Sequence, residues 1–152
     1  MRYHLEPINQ NNWRKIIQLT VADRQKDLIE NNAESLLEAA YDTSYKWSPI
    51  ALYVDNNLVG FAMIGAQNSQ QKTILFDRFM IDERQQKQGY GHALFQAVLT
   101  YIEDRFKVEK IYLRVHHKNE QAIPFYQSFR FELTGEKDPA TAKKLMVRNI
   151  SH

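Results

Sequence analysis

The 152-residue sequence contains no cysteine. A disulfide framework, a thiolate zinc site and a cysteine nucleophile are therefore excluded. Proline and glycine are scarce, at four and five residues. No Pro- or Gly-rich linker and no internal repeat divides the chain, so a single domain over 1–152 is expected. Long apolar runs are missing too. The longest, Leu58 to Ile64, is far shorter than the ~20 residues that span a bilayer. The opening MRYHLEPINQ has no apolar signal core, and the expected setting is cytoplasmic. Neither sign of charge dominates: 20 Lys and Arg stand against 18 Asp and Glu, for a net +2. The basic residues are scattered, with no cluster longer than Ala142-Lys143-Lys144, which disfavours nucleic acid as a partner.

What is present is a chain able to bury a core, with 43% hydrophobic residues. Tyr3 to Pro7 reads as a strand. Asn11 or Asn12 can cap a helix with apolar Trp13, Ile16, Ile17 and Leu19. A second helix is expected from Asn32, its cap, to Tyr41, with Leu36, Leu37 and Ala40 as one face. Ile50–Val54 and Leu58–Ile64 form a hairpin around Asp55-Asn56-Asn57. Gly60 there marks a bulge or a close backbone approach. After the polar turn Gly65 to Lys72 comes a strand, Thr73 to Ile81. Strict alternation puts Ile74, Phe76, Arg78 and Met80 on one face and Leu75, Asp77, Phe79 and Ile81 on the other. The charges at 77 and 78 in an otherwise apolar strand call for a reason.

A polar loop, Asp82 to Gln88, leads into a helix from Gly89 or Tyr90 to about Arg105. Its Leu94, Phe95, Val98, Leu99 and Ile102 recur at helical spacing. Ile111–Val115 is a strand. Asn119 is placed to cap a helix reaching Ser128, and Phe131–Gly135 and Lys144–Ile150 close the chain around Asp138-Pro139. This order is a mixed α/β domain with one central sheet flanked by helices, not the regular alternation of a doubly wound dinucleotide fold.

Two stretches carry chemistry. The first is strand, polar loop, glycine pair, helix, with Gln86-x-x-Gly89-x-Gly91 at its centre. Gly89 and Gly91 allow a sharp turn and a close approach. The free N–H groups of the helix start then offer an anion site suited to a pyrophosphate. Leu94 stands where a dinucleotide fingerprint needs its third glycine, and no G-K-[ST] follows for a P-loop. The second stretch holds Asn119, Ala122, Phe125-Tyr126 and Phe131.

Together and in this order, the two stretches resemble the GNAT N-acetyltransferase superfamily, over nearly the whole chain. The resemblance implies a mixed sheet whose two central parallel strands, here Thr73–Ile81 and Lys110–Val115, splay apart to form an acetyl-CoA cleft. Phe79, Met80 and Ile81 would meet the pantetheine arm, Phe79 and Ile81 through backbone groups. Gln86, Lys87, Gln88, Gly89, Tyr90 and Gly91 would wrap the pyrophosphate, with His92 and Ala93 on the helix start. Asn119 would bond near the pantetheine or hold the loop. Tyr126 would protonate the departing thiolate, a task that suits a phenol of ordinary pKa ~10. Direct attack by an amine on the thioester carbonyl is implied, with Asp77 and Glu30 as candidate carboxylates for the amine's proton.

Within the superfamily the chain looks like the short bacterial spermine/spermidine acetyltransferases. Gln25, Asn32-x-x-Ser35-Leu36, Trp47-Ser48-Pro49 and Asp77-Arg78-Phe79-Met80-Ile81 carry that likeness. The acidic Asp23, Asp27, Glu30 and Glu34, with Asp77, would then meet a polycation, though this segment can equally be a solvated helix face. The same chemistry on an aminoglycoside, an amino acid or a protein N-terminus is the alternative, as is a non-catalytic acyl-CoA-binding protein. A homodimer is expected by the same likeness. Two positions depart from the family pattern. Arg130 stands where glycine is usual, and Pro124 removes a helix N–H, so a distorted or late-starting helix is expected there. His116 and His117, on a strand end, should point apart and make a poor metal pair, and His4, His92 and His152 complete no ligand spacing. No metal is expected.

Overall fold

The structure, a computed structural model, describes residues 1–150; His152 lies outside the described residues. One seven-stranded mixed sheet runs in the order β1-β2-β3-β4-β5-β7-β6. Its strands are β1 (Tyr3–Pro7), β2 (Ser48–Val54), β3 (Asn57–Asn68), β4 (Thr73–Ile81), β5 (Lys110–Val115), β6 (Glu132–Lys137) and β7 (Lys144–Asn149). Helices α1 (Trp13–Gln18) and α2 (Asn32–Tyr41) cover one face, and α3 (Tyr90–Arg105) and α4 (Ile123–Gln127) the other. The α/β class and element order match the expectation. No helix among the described residues is long and apolar enough to cross a membrane.

The α3 stripe does what its spacing requires: Leu94, Phe95, Val98, Leu99 and Ile102 are all buried against the sheet. Phe95 anchors it, stacked on Phe76 at 4.8 Å and packed among Phe79, Phe125 and Phe129. Burying one such side chain contributes about 1.5–3 kcal/mol, so the helix needs no side-chain cap, and it has none.

Three departures from the sequence reading share one origin, which is tertiary contact. First, β4 does not alternate strictly. Its register on β3 passes from Met63↔Arg78 to Ile64↔Phe76, which leaves Asp77 as an extra residue. This bulge reverses the faces beyond it. Ile74, Phe76, Phe79 and Ile81 all reach the α3 core, while Leu75 and Met80 join the α1–α2 core. Second, α2 is capped by Asn31, whose side chain accepts from Glu34 N–H at 2.8 Å. Asn32 is instead buried and donates to the Ile16 carbonyl. The buried face of α2 is polar, Asn32 and Ser35, whereas Leu37 is exposed. Third, the acidic segment ahead of Asn32 is not a helix face, although α2 itself runs over Asn32–Tyr41 as expected. A single 3-10 turn, Asp23–Gln25, and a loop precede α2.

Gly60 meets both expectations placed on it. The β2–β3 register shifts beside it, and a Cβ there would lie 2.4 Å from the Met80 carbonyl oxygen. Beyond β5, Asn119 is no cap. It sits with non-helical angles inside a 3-10 turn, His117–Ala122, which His116 caps by accepting from Lys118 N–H at 3.0 Å. Because β5 ends at Val115, the two histidines do not alternate, and their rings stack at 4.3 Å instead of pointing apart. Helix α4 starts late, with Pro124 in its first turn as expected. It ends in a Schellman turn: Phe131 N–H reaches the Tyr126 carbonyl and Arg130 N–H the Gln127 carbonyl. Arg130 takes the left-handed position, with φ +66°.

A non-glycine residue there costs roughly 1–2 kcal/mol, part of which glycine forfeits again through unfolded-state entropy. Arg130→Gly is therefore expected to raise stability by about 0.5–1 kcal/mol, and thermal melting should show a midpoint higher by about 2–4 °C per kcal/mol.

Candidate active site

The sheet opens at its centre. Strands β4 and β5 pair in parallel only at Thr73↔Lys110, Ile74↔Ile111 and Leu75↔Tyr112. Beyond Leu75 they separate, and a cavity of about 310 Å³ fills the gap. Phe79, Met80 and Ile81 line it from β4, Gln86, Lys87 and Gly91 from the loop and helix start, and Asn119, Ala122 and Tyr126 from the far side. A second cavity, about 500 Å³, adjoins it and shares the walls Val21, Leu28, Ile29, Glu30, Met80, His116 and Lys143. Asp27, Asn31 and Glu34 line only the second.

The end of the first cavity is built for an anion. Gly89 caps α3 in the left-handed conformation, φ +82°, and a Cβ on it would meet nothing within 4 Å. The opening N–H groups of this 16-residue helix have no side-chain cap, so they are free for a phosphate. The approach at Gly91 is equally open, with the nearest atom 4.0 Å from a Cβ built there. The site thus fits the coenzyme expected from the sequence. Some of the expected residues turn their side chains away from the cleft. The Tyr90 ring packs edge-on to Tyr3, and His92 lies on Phe129 at 4.5 Å. Gln88, Gly89, Tyr90, His92 and Ala93 do not line the cavity. The Gln86 side chain is turned inward: its Nε2 donates to the Ile81 carbonyl at 2.9 Å and to Gln25 Oε1 at 3.0 Å.

Tyr126 lies at the junction of α4 and the cleft. Its ring packs 5.9 Å from Phe95, and its hydroxyl hydrogen-bonds no other described residue. Burial pushes its phenol above the ordinary value, so the group keeps its proton at neutral pH and faces the cleft as a donor.

The two candidate base carboxylates are committed elsewhere. Asp77 is nearly inaccessible and accepts from Arg114 Nε at 2.8 Å, with Arg114 Nη2 in ionic contact at 2.7 Å. The bulge brings the neighbouring Arg78 Nε within 3.7 Å of its second oxygen, a pairing that strict alternation forbids. Arg78, 5% exposed, donates to Ser35 Oγ at 2.7 Å and to Glu38 at 2.8 Å. Its Nε lies 3.1 Å from Glu30, but without the alignment of a hydrogen bond, so that contact is ionic. Burial raises the Glu30 pKa. The Glu30 backbone N–H, Arg78, Lys143 and Arg114 outweigh it and hold the carboxyl below its ordinary 4.5. Its share of stability is complete above about 4.5 and disappears as pH falls through the lower folded value. A carboxylate so stabilised is a poor proton acceptor.

Among the other acidic residues, Asp23 is exposed and pairs with Lys26. Asp27 and Glu34 face the second cavity with no ion pair to another described residue. The sequence reading missed Arg114, which carries the Asp77 pairing from a neighbouring strand, and Lys143, which walls both cavities. Arg114 stood out as a charge in an otherwise apolar strand; Lys143 carried no local signal.

A profile of the acetyltransferase (GNAT) family matches residues 13–131. Spermine/spermidine N(1)-acetyltransferase of Bacillus subtilis (strain 168) is 32% identical, over 99% of this chain and 100% of that protein. Among solved structures, spermidine N-acetyltransferase from Vibrio cholerae in complex with CoA and spermine superposes with a TM-score of 0.72 at 18% identity, over 97% of this chain and 94% of that one. Aminoglycoside acetyltransferase AAC(6')-Ib in complex with coenzyme A gives 0.79 at 14% identity, over 97% and 95%.

Removing one partner from a buried ion pair leaves the other charge uncompensated, at a cost of about 3–5 kcal/mol. Asp77→Asn, which leaves Arg114 only its longer contact with Asp138 at 3.6 Å, is expected to lose about 3 kcal/mol in urea unfolding.

Proposed function

The chain belongs to the acetyltransferase (GNAT) family and is an acetyl-CoA-dependent N-acetyltransferase, and we propose that its acceptor is a polyamine such as spermidine or spermine, with Tyr126 as the general acid. The observation that carries the acceptor assignment is the full-length likeness to a spermine/spermidine N(1)-acetyltransferase. The second cavity supports it. Asp27 and Glu34, both without ion pairs to described residues, face it beside Glu30. Several carboxylates on one cavity wall suit a substrate that carries several ammonium groups. Of the two lysines on that wall, Lys26 is paired with Asp23 and Lys143 acts on Glu30, which leaves Asp27 and Glu34 for the acceptor.

Bound acetyl-CoA supplies the thioester carbonyl and a thiolate leaving group. The amide groups opening α3 bind its pyrophosphate, and Phe79 and Met80 border its arm. Tyr126 holds the proton that the departing sulfur needs at its Oη, and burial keeps it there. The amine sheds its proton to water. Asp77, Glu30 and Glu38 are held by arginines and serve as positioning charges. Without a cysteine, no acyl-enzyme on sulfur can form.

Thiol release from acetyl-CoA against a panel of amines tests the acceptor. Turnover with spermidine or spermine, above an aminoglycoside and amino acids, is expected; turnover confined to the other amines rejects the polyamine reading. Tyr126→Phe is expected to lower kcat by about 100-fold or more, the usual range for a lost acid, while the Kd for acetyl-CoA by calorimetry stays within about twofold. An unchanged kcat rejects the acid role.

A further inference from the structure

The wall of the acceptor cavity and the coenzyme loop are fastened to each other. The connection between α1 and α2, residues 19–31, supplies Val21, Asp27, Leu28, Ile29 and Glu30 to that wall. It is anchored at its start, where Thr20 N–H donates to Asp82 at 3.0 Å and Glu83 N–H to the Thr20 carbonyl at 2.8 Å. It is anchored at its end by Glu30 on Arg78. Between these points one hydrogen bond alone joins residues 21–29 to a described residue outside the connection, Gln86 Nε2 to Gln25 Oε1.

That bond sits on a fixed base. The two hydrogens of the Gln86 amide go to Gln25 and to the Ile81 carbonyl at the end of β4, which leaves none for a ligand. Gln25 Oε1 also accepts from Ala22 N–H at 3.2 Å, closing its own 3-10 turn. Besides the packing of Val21 and Ile29 on the α1–α2 core, a single side-chain oxygen therefore ties the middle of the acceptor wall to the coenzyme loop.

We propose that Gln25 is a positioning residue that couples the two substrates. Filling the anion site fixes the loop and with it Gln86; Gln86 fixes Gln25; Gln25 sets residues 21–29 for the amine. The coupling is reciprocal, so the amine tightens coenzyme binding by the same factor. This inference rests on the reading that the acceptor enters the cavity beneath residues 19–31, and not on the acceptor being a polyamine.

Hydrogen–deuterium exchange with coenzyme A alone tests it without any amine. In the unaltered protein, coenzyme A is expected to slow exchange in residues 82–93 and in residues 21–29. In Gln25→Leu the first effect should remain and the second should vanish. Gln25→Glu keeps an acceptor oxygen and should restore it. With whichever amine turns over, Gln25→Leu should raise its KM about five- to tenfold, the worth of one hydrogen bond, with kcat and the Kd for coenzyme A within about twofold. Coenzyme-dependent protection of residues 21–29 that persists in Gln25→Leu overturns the proposal. So does an unchanged amine KM, or a loss of protection across the whole chain. Failure of every polyamine in the panel, with the exchange pattern intact, rejects the acceptor assignment and leaves the coupling standing.

Discussion

One ion pair bridges two strands that have stopped hydrogen-bonding to each other. The β4–β5 ladder ends at Leu75↔Tyr112, yet two residues further along Asp77 on β4 still grips Arg114 on β5 through both Nε and Nη2. The cleft between the strands therefore has a fixed width at its closed end. The bulge at Asp77 makes this arrangement possible. It turns Asp77 and Arg78 toward the α1–α2 face and sends Phe79 and Ile81 back to the α3 core. Arg78, buried by that turn, demands polar partners. Ser35 and Glu38 of α2 supply them, with Glu30 from the connection before it. The polar inner face of α2 and the path of the acceptor wall both follow from where one guanidinium had to go.

The same constraint divides the chemical labour. Asp77, Glu30 and Glu38 are each held by an arginine, and for Glu30 the surrounding positive charges keep the carboxyl below its ordinary value. The phenol of Tyr126 meets the opposite condition: burial with no nearby countercharge favours its neutral, proton-bearing form. A phenol that keeps its proton beside the cleft is the group that the proposed departure of a thiolate calls for. Local chain chemistry sets the mount of Tyr126. Pro124 starts α4 late and the Schellman turn at Arg130 ends it, so five helical residues hold the ring at the cleft.

Much of this was legible in the sequence because it is local. The glycine pair at 89 and 91, the α3 stripe, the late start at Pro124 and the left-handed demand on Arg130 each depend on neighbours in the chain. The parts that were not legible depend on distant ones. Asp77 and Arg78 were conspicuous in an apolar strand, but the partner of Asp77 lies 37 residues ahead and those of Arg78 lie 40 to 48 behind, and the bulge exists only in register with β3. Of the expected inner face of α2, Leu36 does pack on the core, but Leu37 and Ala40 are exposed, because apolar spacing is read without knowing that a buried arginine faces the helix. Asn31 and Asn32 are chemically the same, and only the Ile16 carbonyl decides which of them caps. The acidic run from Asp23 to Glu38 resembled one face in a list of charges. In space it separates into an exposed pair, two free carboxylates on a cavity and two arginine-bound ones.

The central claim is that the gap held by Asp77 and Arg114 delivers the reacting sulfur to the Tyr126 hydroxyl. A crystal structure with coenzyme A bound tests it most directly. The expected result is a thiol within hydrogen-bond reach of Tyr126 Oη, with the arm between β4 and β5 and the pyrophosphate on the α3 amides. A thiol lying outside the splay, or a Tyr126 hydroxyl turned away from it, would contradict the account.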